Sequence, residues 1–335
     1  WAMRIVVLFG GTSRERDVSI ASAAQIIPAL RGLGHTVFAV DAASGRLNQE
    51  EERTLFTRAV SAEPPATAAI EALRERSAYL APSAADLRDA DVVFVALHGG
   101  AGEDGRMQAV LDLAGIAYTG SNHIASAAAM DKDLSKRLFR SAGVPTPDWL
   151  MAPVTADQVA DALGWPVIVK PDREGSTVGL SIVHEPAQLD TAIERAREFD
   201  REVMIERFIP GREFTVGILE GQALPVGEIM APGEVFDYSS KYQEGGAREV
   251  FPADIPQKLA ASMQKHALLA HNVLKLGTYS RVDFRIDHAS HPWCLEINSL
   301  PGMTATSLLP QAARAAGIDF PQLVERICKG AVRPH

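Results

Sequence analysis

Trp293 to Ser307 reads WCLEINSLPGMTATS, a stretch that begins as a strand and ends as a turn. Leu295 and Ile297 alternate with Glu296 and Asn298, so the two-residue period of a strand predicts an apolar pair on one face and both polar side chains on the other. Leu300-Pro301-Gly302 then turns the chain. Just upstream, Tyr279 to Ile286 (YSRVDFRI) has the same period: Arg281, Asp283 and Arg285 face one way, Val282, Phe284 and Ile286 the other. A hairpin-like turn over Asp287 to Pro292 returns the chain. Antiparallel pairing therefore predicts Asp283 beside Glu296 and Asn298 on one surface, with Arg281 close by.

Two carboxylates and an amide offer oxygen only, without histidine or thiolate, and such a set suits Mg²⁺, an ion that commonly accompanies phosphate. The competing reading is a solvated sheet face carrying an Arg–carboxylate pair. Lys170 to Gly179 (KPDREGSTVG) bears on the choice, because glycines flanking Ser176 and Thr177 let backbone N–H groups approach an anion beside a strand-end lysine. It is not a Walker A sequence, and an ordinary hairpin turn has similar composition. Asp131 is placed to cap a helix running to about Ser141, with Lys132 in its first turn as a second cation. Glu206 and Glu213 bracket Phe208 at a strand end, an apolar slot flanked by carboxylates.

At the N-terminus, Arg4 to Phe9 is an apolar strand ending at Gly10-Gly11, and a helical pattern runs from Val18 to about Gly32 with Pro28 inside it. The turn GGTSRE is expected to offer N–H groups to a ligand carboxylate, with Glu15 for an ammonium. It is no GxGxxG fingerprint, which leaves dinucleotide binding unsupported. Thr36–Val40 and Asp91–Leu97 are further strands. The second runs into HGGAGEDG, where four glycines hold backbone close to something, and His98 reads either as a ligand or as a packed strand-end histidine. Pro166–Lys170 and Val203–Glu206 are also strands, 143–147 is a linker, and 232–246 is a glycine-containing surface loop.

A chain of 335 residues is long enough for two or three cores. A net charge of −9 argues against a general nucleic-acid surface. No run of ~20 apolar residues is present, so no membrane span is expected. Met3 reads as the natural start with no signal-peptide pattern after it, and a cytoplasmic protein is the expectation. Cys294 and Cys328 have no metal or redox spacing and read as packed thiols.

The ordered series GGTSRERDVS, HGGAGEDG, MDKDLSK, VKPDREGSTVG, IERFIPGREFTV, DYSSKY, SRVDFR and LEINSLPGMTATS resembles the D-alanine–D-alanine ligases of the ATP-grasp superfamily, over Arg4 to about Ile327. The resemblance implies an α/β and α+β architecture: a Rossmann-like domain over 1–122, then a two-part ATP-grasp fold with subdomains over 123–220 and 221–335. It implies two Mg²⁺ ions, for which Mn²⁺ can substitute, on Asp283, Glu296 and Asn298. Lys132, Lys170 and Lys241 would contact the phosphates of ATP, with Ser176 at the glycine-rich lid; Glu206, Phe208 and Glu213 would meet adenine and ribose.

For the amino acids, the resemblance implies Glu15 and His98 around the first D-alanine. Arg281 and the N–H of Gly302 would bind the oxyanion, and Ser307 with Leu308 the carboxylate of the second D-alanine. Tyr242 would reach from a closing loop to Ser176 and Glu15, and favours a dipeptide product over D-alanyl-D-lactate. A homodimer is the family tendency. This chain departs from the commonest pattern at Asn122, Ala305 and Thr306, and in a longer 48–89 segment. Three rivals stand beside this reading: a ligase with another acceptor, a non-catalytic nucleotide-binding protein, and an NAD-dependent oxidoreductase.

Overall fold

The structure, a computed structural model, describes residues 1–57, 68–72, 87, 89–230 and 247–334. It opens with β1 (Arg4–Phe9), whose residues from Ile5 onward are all buried, followed by α1 (Arg16–Gly32) with Pro28 in its last turns. β2 (Thr36–Asp41), β3 (Gly45–Arg46), α2 (Gln49–Phe56) and β4 (Val92–Val95) complete a sheet of order β3-β2-β1-β4. β1 pairs in parallel with both β2 and β4, and burial on both faces explains why these strands read as unbroken apolar runs.

Three helices follow: α3 (Arg106–Leu113), α4 (His123–Met130) and α5 (Lys132–Ser141). Asn122 caps α4 by accepting from Ala125 N, and Asp131 caps α5 by accepting from Leu134 N, as its spacing predicts. The departure at Asn122 is therefore a helix cap.

The central unit holds β5 (Trp149–Met151), α6 (Ala156–Ala162), β6 (Val167–Pro171), β7 (Ser181–Val183), α7 (Leu189–Arg197) and β8 (Val203–Arg207). Its antiparallel sheet, order β5-β8-β6-β7, packs on the two helices through Val159, Val167, Val169, Ile193 and Ile205. The last unit holds β9 (Arg212–Leu219), β10 (Gln222–Ala223), β11 (Gly227–Met230), β12 (Arg248–Val250), α8 (Gln257–Val273), β13 (Tyr279–Ile286) and β14 (Pro292–Asn298). Its strand order is β12-β11-β9-β13-β14, with β10 on β9. α9 (Leu308–Ala315) and α10 (Phe320–Lys329) close the chain.

The hydrophobic cores group these elements differently from the boundaries 122/123 and 220/221. β9 pairs with β13 and β11, not with the central sheet, so the change of unit falls between Arg207 and Arg212. α4 and α5 bury Ala125, Ala129 and Phe139 against Phe214, Val216 and Val282 of the last sheet. α9 and α10 return to the first core, where Leu309, Leu323 and Ile327 pack with β1 and α1. Among the described residues no helix is long and apolar enough to cross a membrane.

β13 and β14 pair as expected, with Arg281 opposite Asn298 and Asp283 opposite Glu296. One expectation fails: Leu295 does not join Ile297 in the core. The register shifts between Asp283 and Phe284, so Phe284 faces Cys294 and Leu295 is the extra residue of a bulge. Cys294 takes the buried position, and Leu295 turns to the cleft wall with Glu296.

Gly211 is the hinge at which the chain leaves β8 for β9. Its φ is +138°, and a side-chain carbon there would lie 1.9 Å from the Ile286 carbonyl oxygen. Gly211→Ala is expected to destabilise the protein by about 2 kcal/mol or more in urea unfolding, through strain and collision together.

Candidate active site

Asp283 sits at the centre of the last sheet and receives hydrogen bonds from both neighbouring strands. Thr215 Oγ1 on β9 donates at 2.7 Å, and Asn298 Nδ2 on β14 at 3.2 Å. Arg281, two residues away on β13, grips it bidentately at 2.9 and 2.8 Å. Glu296, opposite Asp283, has Lys132 Nζ at 3.7 Å. The Arg–carboxylate pair considered from sequence is thus present, and Arg281 and Lys132 supply positive charge to the cluster. Asp283, Glu296 and Asn298 still form an all-oxygen set of the kind a hard divalent cation takes. Among the described residues no further carboxylate, histidine or thiol joins Asp283 and Glu296.

One cleft is lined by Lys132, Lys170, Glu206, Phe208, Glu213, Asp283, Glu296 and Ser176, so it gathers most of the residues expected at a nucleotide. At its floor lies a buried triad. Lys170 Nζ donates to Glu206 Oε1 at 2.8 Å, and Lys136 Nζ donates to Glu206 Oε2 at 2.5 Å and to Thr146 Oγ1 at 2.7 Å. Burial would raise the Glu206 carboxyl, but the two lysines outweigh it and hold it below the ordinary range. Burial opposes the Lys170 charge as well, and Glu206, with Glu296 beyond it, nonetheless raises that ammonium. At the far wall the Arg285 guanidinium lies 5.1 Å from the Phe208 ring centroid and donates to the Ile209 carbonyl at 3.0 Å.

The glycine-rich segment is both things its sequence suggested. It is the connection of the β6–β7 hairpin, and it lines the cleft. Ser176 and Thr177 adopt φ of 51° and 65°, left-handed values that carry strain in non-glycine residues. Lys132 Nζ holds the loop from beneath, donating to Glu174 O at 2.7 Å and to Asp172 O at 3.3 Å. Ser176 Oγ donates to Glu15 Oε1 across the gap to the first unit.

The N-terminal turn departs from expectation. The N–H of Gly10 donates to Ser19 Oγ at 2.8 Å and that of Gly11 to Asp41 Oδ1 at 3.2 Å, so neither is offered to a ligand. Gly10 must be glycine because a side-chain carbon would lie 2.3 Å from Asp41 Oδ1, where Asp41 meets Arg16. Ser13, Arg14 and Glu15 of this turn face the glycine-rich segment, and Glu15 takes the hydrogen bond from Ser176.

His98 is buried and has two protein partners. Its Nδ1 is 3.1 Å from Leu300 O and its Nε2 is 2.9 Å from Ser22 Oγ, while Met303 N–H donates to the same Ser22 Oγ at 3.2 Å. With the proton on Nδ1, His98 donates to Leu300 and accepts from Ser22. Desolvation by burial lowers its pKa, which agrees with a neutral ring. These bonds match the packed reading of His98, and they fix the turn that carries Gly302. Ser307 stands at the N-cap position of α9, but its Oγ turns back to accept from Thr304 N at 3.1 Å and makes no bond to a helical N–H; Leu308 is the first helical residue. Lys241 and Tyr242 lie outside the described residues.

Two family models cover most of the chain: "D-ala D-ala ligase N-terminus" matches residues 4–121 and "D-ala D-ala ligase C-terminus" residues 138–329. The D-alanine–D-alanine ligase of Synechococcus sp. (strain JA-2-3B'a(2-13)) is 40% identical over 336 residues, spanning 99% of this chain and 94% of the relative. That of Gloeobacter violaceus is 40% identical over 97% of this chain and 98% of its own. The chain belongs to the D-alanine–D-alanine ligase family.

Solved structures agree. The Bacillus anthracis D-alanine–D-alanine ligase complexed with ATP superposes with a TM-score of 0.76 at 32% identity, over 98% of this chain and 97% of that one. The VanG D-Ala:D-Ser ligase of Enterococcus faecalis gives 0.80 at 28% identity, over 98% of both chains. This member of the family therefore has the ATP-grasp fold, preceded by its parallel α/β domain.

Two buried titratable residues beside the cleft give no signal in the sequence. Lys136 was hidden because a lysine on an amphipathic helix ordinarily faces water. Glu103, in HGGAGEDG, accepts the Gly99 N–H at 2.8 Å, and burial with Glu15 nearby pushes its carboxyl up to about 8. Its raised pKa means that the folded protein binds this proton more tightly than the unfolded chain does. The stabilisation is complete below the ordinary value near 4.5 and is lost as pH rises to about 8. Glu103→Gln is expected to gain stability relative to the wild type across that interval and to level off above it, measured by unfolding free energies from pH 4.5 to 9.

Lys136→Met leaves Glu206 with one lysine in place of two. An expected loss of about 3 kcal/mol in denaturant unfolding follows from stripping a partner from a buried carboxylate.

Proposed function

We propose that this protein joins two D-alanines into D-alanyl-D-alanine at the expense of ATP, through an acyl phosphate, as a step toward peptidoglycan precursors. One observation carries the proposal beyond family membership. Lys132, Lys170, Asp283 and Glu296 line a single cleft with Phe208 and Glu213, and Ser176 links that cleft to Glu15.

A carboxylate is a poor electrophile until one of its oxygens becomes a leaving group. The carboxylate of the first D-alanine attacks the γ-phosphorus, a new P–O bond forms, and ADP departs. The amine of the second D-alanine then attacks the acyl carbon and inorganic phosphate leaves. Lys132 and Lys170 meet the charge on the phosphoryl oxygens; Arg281 and the Gly302 N–H meet the charge on the carbonyl oxygen. Glu15, Ser176 and Tyr242 orient the first amino acid and carry the proton released by the attacking amine. Ser307 and the Leu308 N–H, at the start of α9, take the acceptor carboxylate. Glu206, Phe208 and Glu213 receive adenine and ribose, and Lys241 is a further cation for the phosphates. His98 holds the Gly302 turn beside the first D-alanine.

Asp283, Glu296 and Asn298 would hold Mg²⁺, or Mn²⁺ in its place, and the ion would neutralise phosphoryl oxygens. The enzyme works in the cytoplasm, where ATP is supplied. It acts as a homodimer, a reading supported by exposed apolar side chains on adjoining helices, Val110 and Leu113 on α3 and Ile124 on α4.

The purified protein is expected to convert D-alanine and ATP to a product of dipeptide mass with one phosphate per dipeptide. D-Serine and D-lactate are the competitors to include, since a D-Ala:D-Ser ligase shares the fold closely. No turnover with any D-amino acid refutes the ligase reading, and a predominantly mixed product reassigns the acceptor. Glu296→Gln is expected to lower kcat by roughly 100-fold or more, the scale of losing a principal source of transition-state charge stabilisation. A near-normal rate in that variant removes the metal assignment.

A further inference from the structure

The N-terminal loop and the glycine-rich loop meet at two points. The first is the hydrogen bond from Ser176 to Glu15, beside which a side-chain carbon on Gly175 would meet Glu15 Oε2 at an ordinary contact distance of 3.4 Å. The second lies one residue earlier on one loop and beyond the exit of the other. The Arg14 guanidinium carbon stands 4.9 Å from the centroid of the Phe199 ring. Phe199, just past α7, is seated against the base of the glycine-rich loop: a side-chain carbon on Gly179 would lie 2.6 Å from its Cδ2 and 2.9 Å from Pro171 Cγ. The φ of Gly179 is +71°, so glycine here both makes the left-handed turn and admits the ring. Ser13, Arg14, Glu15, Glu174, Gly175 and Val178 line the seam between the two contacts.

This arrangement ties Arg14 to the loop through a ring, and Glu15 to the same loop through a hydroxyl. Both residues of the pair come from one turn, so movement of either contact moves the other. We propose that Arg14 is a positioning residue whose cation–π contact with Phe199 latches the glycine-rich loop onto the N-terminal loop, holding Ser176 on Glu15. What the latch protects rests on the ligase reading. An acyl phosphate loses its energy to any water that reaches it, so a loop held down over the seam favours attack by the amine over hydrolysis. Both Arg14 and Phe199 are half-buried, which makes the contact breakable and suits a segment that must open to admit substrate.

Arg14→Ala, Arg14→Lys and Phe199→Leu, made in the full chain, test the latch with two independent readouts. The first is hydrogen exchange of the loop amides 172–180, which needs no activity. Exchange is expected to quicken by roughly 2- to 5-fold in Arg14→Ala and Phe199→Leu, the range of one cation–π contact that water still reaches, and to lie between those variants and the wild type in Arg14→Lys. The second is phosphate released per dipeptide, expected to rise above one in the same order, with a higher KM for D-alanine and an unchanged melting temperature. The Arg14→Ala/Phe199→Leu double variant is expected to be no worse than either single one. Unchanged loop exchange in Arg14→Ala overturns the latch, as does a double variant whose effects multiply. Should Phe199→Leu fold poorly, the two Arg14 variants decide alone. Absence of dipeptide from the wild type would instead refute the ligase reading, leaving the exchange measurement to judge the latch by itself.

Discussion

The register of β13 between β9 and β14 is the constraint from which the site follows. Val282, Phe284 and Ile286 bury one face of β13, and this leaves Arg281, Asp283 and Arg285 on the other. A slip of one residue would drive two guanidinium groups and a carboxylate into an apolar core, so the hydrophobic face specifies the polar one. Asp283 then lies opposite Thr215 on one side and Glu296 on the other, and both neighbouring strands donate to it. The bulge after Asp283 finishes the arrangement. It returns Cys294 to the core and sets Leu295 on the cleft wall, while Glu296 stays opposite Asp283 and Asn298 opposite Arg281.

Charge explains why such a cleft is stable before any ligand arrives. Lys136 and Glu206 are almost fully buried, and neither would be tolerated alone in a medium that disfavours isolated charge. Together with Lys170 they form a chain of ammonium, carboxylate and ammonium. Its outer end, Lys170, opens on the cleft, and its inner end is anchored by Thr146. The desolvation of Lys170 is thus met by Glu206 during folding, not at the moment a phosphate binds. That is preorganisation: the cation is aimed at the cleft in advance, and little reorientation is left for the binding of an anion. Lys132 is treated similarly, held by the carbonyls of Glu174 and Asp172, and it fixes the glycine-rich loop by the same contacts.

How much of this the sequence disclosed depended on the range of the interaction. Strand periodicity, the Asp131 cap and the pairing of Asp283 with Glu296 are local or nearly so, and they were legible. Lys136 was not, since its partner Glu206 is 70 positions away and nothing on α5 marks it as buried. The N–H groups of Gly10 and Gly11 were misjudged for the same reason: the acceptors that claim them, Ser19 and Asp41, are 9 and 30 residues distant. Leu295 fits the alternation perfectly, and only the partner strand reveals that a residue has been inserted. The domain limits shifted because a linear division cannot show that α4 and α5 pack forward onto the last sheet, or that α9 and α10 pack back onto the first.

The turn between β14 and α9 shows why unusual residues there need not disturb its geometry. Ala305 and Thr306 depart from the common pattern, yet the turn holds them chiefly through backbone. Ala305 N–H donates to Gln25 Oε1 at 2.6 Å, and the Thr306 carbonyl accepts from Gln311 Nε2 at 2.7 Å. Ser307 is fixed separately, by Thr304 through its N–H and its hydroxyl. The side chain of Ala305 enters none of these bonds, and that of Thr306 adds only a contact of 3.3 Å to Thr304. On the other side of the turn, Ser22 and His98 fasten Met303 and Leu300. The geometry around Gly302 and Ser307 is therefore carried by α1, the His98 loop and α9, elements whose own positions are set by the first core. Side chains at 305 and 306 are free to vary without moving Gly302, Ser307 or Leu308.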